Sequence, residues 1–217
     1  MDKAVNIDEE VSKDVFRILQ RLYGVIVALA ITTAIGLTIS INGIALSPFE
    51  LNISYIALFG AFLVTIVPFY HGGSMYLLKN YIHANSPKKK GIALVDFLAL
   101  SFEGVVFFAI AASIKNLTSF EIWFLILLIL DSLWVSFTYV ASDKEEGAPK
   151  FWLIINGSMI VFFIVIYGIS DNNWPQIYSL IFVATAIRTV IDYYHCYDYY
   201  FPTTKKKTIK NQTSLST

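Results

Sequence analysis

The sequence predicts an all-α polytopic membrane protein: six transmembrane helices preceded by an N-terminal amphipathic helix. Three observations predict it. Only 15% of the 217 residues are charged, against about 25% in a soluble domain. Mean hydropathy is +0.62. Several apolar runs approach or exceed the roughly 20 residues that cross a bilayer. Net charge is zero, which offers no argument for nucleic-acid binding. The single cysteine, Cys196, permits no intramolecular disulfide.

Residues 1–22 read as a cytoplasmic, interfacial amphipathic helix. Ile7, Val11, Val15, Ile18, Leu19 and Leu22 form its apolar stripe, which suits the membrane surface. Asp8, Glu9 and Glu10 suit the positive end of the helix dipole. The segment lacks a cleavable signal pattern, so the first span is expected to stay as a signal-anchor. Residues 23–202 form the six-helix transmembrane domain. Residues 203–217 are a polar, basic tail expected to be disordered in the cytoplasm.

The first span covers residues 23–41. Gly24, Ala28, Thr32, Gly36 and Ser40 recur at every fourth position. Such a small-residue seam admits a second helix closely, in the bundle, in a homo-oligomer or against a membrane partner. Ser47-Pro48-Phe49-Glu50 then starts the second helix, with serine as cap and proline at the first position. That helix runs to about residue 81 and contains Pro68-Phe69-Tyr70-His71-Gly72-Gly73-Ser74. Pro68 frees the carbonyl of Val64, and the two glycines loosen the next turn. Two readings of His71 stay open here: cavity-lining irregular backbone, or a kinked packing helix.

Lys79 and Lys88-Lys89-Lys90 make a basic loop suited to anionic lipid headgroups. The third span, residues 91–114, places Asp96 and Glu103 seven apart, hence on one face. Thr118-Ser119-Phe120-Glu121 reads as a capping box for the fourth span, residues 122–141, whose apolar run Asp131 and Ser132 interrupt. The fifth span, 151–169, carries Asn156-Gly157-Ser158. The sixth runs from residue 176 into a tyrosine-rich end stopped by Pro202. Arg188, Asp192 and His195 stand at i, i+4 and i+7, one face of that helix. Tyr193, Tyr194, Tyr197, Tyr199 and Tyr200 read as an interfacial belt.

Basic residues orient the chain. Fourteen of the sixteen Lys and Arg fall in the two termini and in the loops after spans two and four. The opposite side has Lys115 alone, and Arg188 lies within a span. This asymmetry places both termini in the cytoplasm of a multi-pass inner- or plasma-membrane protein.

Arg188 faces four acids within or at the edge of the spans: Asp96, Glu103, Asp131 and Asp192. An unpaired carboxylate in a membrane hydrates, protonates or finds a cation. The excess of acid points to permeation of an ion (a proton or cation) or small solute through a polar, cytoplasm-facing cavity, the chemistry of a transporter or ion channel. Arg188 is then the counter-ion, Glu103 and Asp131 the midplane groups, and His71, Asp192 and His195 a relay, with Asp96 and Asn156 in the same polar core. A purely structural polar network is the competing account.

Two further alternatives stand beside permeation. One is an intramembrane lipid-processing enzyme, with His71, His195 and Asp96 as candidate metal ligands and Asp192 with His195 as a base pair. No HExxH spacing and no GxSxG nucleophile motif supports it. The other is a non-catalytic oligomeric anchor, sensor or effector using the first-span seam. No Walker A or dinucleotide fingerprint occurs, and no cofactor is expected. A potassium filter lacks a re-entrant segment, and a voltage sensor lacks its arginine series.

Overall fold

A computed structural model describes residues 7–39, 52–82, 90–141, 147–170 and 176–202. Among these the chain is helical, with no strand. The helices are α1 (Ile7–Ile39), α2 (Ile53–Leu77), α3 (Lys90–Ala112), α4 (Leu117–Ala141), α5 (Gly147–Ser170), α6 (Gln176–His195) and the short α7 (Tyr197–Tyr200). A π-helical turn, Leu78–Ile82, extends α2. Six of these helices carry stretches of 20 to 30 residues long and apolar enough to cross a membrane. The chain is thus an all-α polytopic membrane protein.

The bundle is a closed ring. Going round it, α1 packs on α2, α2 on α6, α6 on α5, α5 on α4, α4 on α3, and α3 back on α1. The outer faces are apolar, as lipid requires: Val25, Leu29, Phe102, Val105, Ile164 and Val190 are all more than half exposed. The inner faces bury aromatic and aliphatic side chains such as Tyr23, Phe62, Phe107, Phe124 and Phe163.

The N-terminal segment runs into the first span as expected: α1 is unbroken through residues 22 and 23. No proline interrupts the hydrogen bonding there. Several sequence expectations need correction. The N-terminal part of α1 turns inward: Leu19 is buried, while Val11, Ile18 and Leu22 of the predicted stripe are exposed. The fourth span is capped by Asn116, not Thr118. The Asn116 side-chain oxygen accepts from the Ser119 amide at 2.9 Å, so Glu121 lies within the helix, and it is buried. The predicted helix start at Ser47, and the basic tail, lie outside the described residues. Within them, Asn52 caps α2 by accepting from the Ser54 amide at 2.9 Å.

The sixth helix does not run to Pro202. It stops at His195, where Cys196 leaves helical geometry at φ −102°, ψ 21°. The turn brings Tyr199 and Tyr200 inward, and both are buried. They are therefore part of the core, while Tyr194 and Tyr197 remain exposed.

Candidate functional site

The site grows from the buried stripe of α6: Ile177, Ile181, Thr185, Arg188 and Asp192. The spacing is helical, and its last two members put opposite charges inside the ring. Arg188 is 5% exposed. Its Nη2 donates to Asn156 Oδ1 of α5 at 3.0 Å. The Asn156 amide nitrogen in turn donates to Asp131 Oδ2 of α4. Asn156 thus relays between cation and acid, using its acceptor toward one and its donor toward the other. The Arg188 guanidinium also lies 4.7 Å from the Phe69 ring centre on α2, a cation–π distance.

Asp192 is held from three directions. Trp152 Nε1 donates to Oδ1 at 2.9 Å, the Tyr200 hydroxyl donates to Oδ2 at 2.9 Å, and Arg188 Nη1 stands 4.0 Å from Oδ2. Burial and the Asp192 charge push the Tyr200 phenol well above its ordinary range, so it remains a donor. Gly72 of α2 makes room for this arrangement. A Cβ there would stand 3.5 Å from the Tyr200 hydroxyl and 3.7 Å from the Trp152 ring.

These groups enclose a cavity of about 30 Å³, lined by Pro68, Phe69, Gly72, Gly73, Asp131, Trp134, Trp152, Arg188, Asp192 and Tyr200. A single water needs roughly 10–15 Å³ of such space, together with polar partners. The lining supplies them, since Arg188 Nε and Nη1 are buried without a hydrogen-bond partner.

Two further acids flank the cavity. Glu103 of α3 accepts from the Tyr23 hydroxyl of α1 at 2.8 Å, close enough to Asp131 to feel its charge. Asp96, also on α3, accepts from Tyr76 at 3.0 Å, Tyr81 at 2.9 Å and Trp134 Nε1 at 3.2 Å. Asp96 and Glu103 are both buried, on one face of their helix as the seven-residue spacing predicts. All six spanning helices thus contribute to the polar interior.

The structure gathers Arg188, Asp192, Asp131 and Asn156 about one cavity, with Glu103 beside it. It does not gather the histidines there. His71 Nδ1 lies 3.2 Å from the Tyr193 hydroxyl, and its ring lies 4.8 Å from that of Tyr200. It therefore stands behind Tyr200. His195 is exposed and packs on Phe151, ring centres 4.5 Å apart. The expected Asp192–His195 base pair is not formed, because α6 ends at His195 while Trp152 and Tyr200 occupy the Asp192 carboxylate. Among the described residues no three His, Cys, Asp or Glu side chains form a group that could hold a metal ion. His71, His195 and Asp96 are not a ligand set.

Sequence reasoning missed the aromatic donors: Trp152, Tyr200, Tyr23, Tyr76, Tyr81 and Trp134. Each carries one polar atom on a body that reads as core or belt. The α1 seam divides. Gly24 faces Tyr70 of α2, where a Cβ would stand 3.3 Å from the hydroxyl. Ala28, Thr32 and Gly36 are exposed, and Ser40 lies outside the described residues.

Compared with known protein families, with curated proteins and with solved structures, the chain matches none.

Proposed function

We propose that this membrane protein mediates permeation of a proton, cation or small solute through the polar interior centred on Arg188. The observation that carries the reading is the cavity between α2, α4, α5 and α6. It is lined by a buried guanidinium with two unused donor atoms and by two carboxylates. A polar network that served packing alone would saturate its donors, because an unpaired buried donor costs about 1–3 kcal/mol. With Glu103 beside Asp131, three acids stand against the one cation, and the excess is what a translocated positive charge would neutralise.

The lysine and arginine asymmetry orients the path. The end bearing α7, Lys79 and Lys150 would face the cytoplasm, with both termini on that side, and Lys115 the opposite side. Lys79 lies against the Tyr199 ring, 3.6 Å from its centre, at the α7 end of the cavity.

The test is flux. Purified protein in proteoliposomes, given proton, sodium or potassium gradients, is expected to dissipate at least one of them. Glu103→Gln is expected to lower that flux severalfold while the protein stays folded. Wild-type protein that dissipates none of the gradients would sink the proposal.

A further inference from the structure

Resting on that permeation reading, we infer that the translocated species is the proton, carried on Asp131 and passed to a water bound by Arg188 in the cavity. The inference stands on which polar atoms are already used. Both Asp192 oxygens accept hydrogen bonds, from Trp152 and from Tyr200. Asp131 makes one hydrogen bond among the described residues, from Asn156 to Oδ2. Asp131 Oδ1 is therefore the carboxylate oxygen left to the cavity. Arg188, 5% exposed, contributes Nε and Nη1 to the same region without a hydrogen-bond partner.

A water answers both needs. One lone pair accepts from the guanidinium, and the other is left to take the Asp131 proton. The volume of about 30 Å³ suits it. A metal cation does not suit the space. Calcium or magnesium seeks about six oxygen ligands, and the lining offers one carboxylate oxygen that accepts no hydrogen bond among the described residues.

The step balances without a co-reactant. Protonated Asp131 gives its proton to the water as the water releases one of its own toward solvent at the α7 end, so no hydronium rests beside Arg188. The Asp131 carboxylate is then reloaded by a proton arriving from the opposite side of the membrane. One O–H bond breaks for each that forms. Asn156, bonded to both Asp131 and Arg188, is a positioning residue that keeps Oδ1 toward the water.

The experiment uses the full chain in proteoliposomes holding a pH-sensitive dye, with a valinomycin-clamped potassium potential as driving force. Wild type is expected to change the internal pH, at a rate lowered about two- to threefold in D2O. Asp131→Asn is expected to lower the rate at least tenfold. Asp131→Glu, which keeps the carboxyl, should retain a substantial part of it and guards against misfolding of the amide variant. Sodium or potassium flux with no pH change overturns the proton assignment and leaves the permeation reading standing. Proton flux unchanged in Asp131→Asn overturns the role of Asp131. No flux of any ion removes both readings.

Discussion

The Thr189 hydroxyl of α6 donates to the Val64 carbonyl of α2 at 2.6 Å. Val64 is four residues before Pro68, whose missing N–H leaves that carbonyl without its helical partner. The neighbouring helix supplies the donor. This satisfies a backbone group inside the membrane and fixes α6 against α2 at the level of the cavity. The sequence marks the vacancy at Val64, but nothing local to α2 says that position 189 fills it.

Thr189→Val, nearly isosteric, is therefore expected to destabilise the protein by about 1 kcal/mol, the usual size of an interhelical hydrogen bond. Pro68→Ala restores an N–H for Val64, so the Thr189→Val cost should shrink in that background. A double-mutant cycle of thermal unfolding in detergent reads the coupling. Strict additivity would mean that the hydroxyl does not compensate for the proline.

Arg188→Met is expected to destabilise by about 3–5 kcal/mol, because it leaves Asp192 buried with less compensation and orphans the Asn156 acceptor. Adding Asp192→Asn should recover part of the loss, since the variant then buries no stranded charge. Unfolding midpoints for the single and double variants decide the matter. A double variant less stable than Arg188→Met alone would contradict the pairing.

Gly104 and Gly36 should respond oppositely to a side chain. A Cβ at Gly104 would stand 2.5 Å from Ile26 Cγ2 of α1, and β-branched isoleucine has little freedom to move. Gly104→Ala is expected to cost about 1–3 kcal/mol through overpacking between α1 and α3. At Gly36 nothing lies within 4 Å, so Gly36→Ala should be neutral or slightly stabilising in the monomer. Thermal unfolding compares the two.

Cys196, just past the end of α6, is buried. Burial first, and then the Asp192 charge, push its thiol up to about 12. The neutral thiol is the form that the fold favours. Its contribution to stability is thus complete below the ordinary thiol range and is lost as pH rises toward 12. At pH 8 the native protein should react slowly with a thiol-specific maleimide. One thiol per chain should titrate rapidly once the protein is denatured. Equal rates in the two states would place Cys196 at an open surface.

The number and type of helices follow from the sequence alone. Run length and hydropathy are local sums, and the bilayer converts them directly into spans. The face shared by Asp96 and Glu103, and the pairing of Arg188 with Asp192, were equally legible, because a helix turns spacing into direction. Helix ends were less so. Thr118-Ser119-Phe120-Glu121 fits a capping box, yet Asn116, two residues earlier, is the cap, accepting from the Ser119 amide.

Only the tertiary structure decided what converges. Asp131, Asn156 and Arg188 lie on three helices, 25 and 32 residues apart in sequence, and no periodicity links them. The same holds for the turn at Cys196, which brings Tyr200 onto Asp192. Those choices come from closing six helices into a ring, where each buried donor or acceptor meets whatever partner the neighbouring face presents. The sequence by itself made this a six-span membrane protein with more acid than base inside. The ring decided that both Asp192 oxygens accept hydrogen bonds, while among the described residues Asp131 accepts only one, from Asn156.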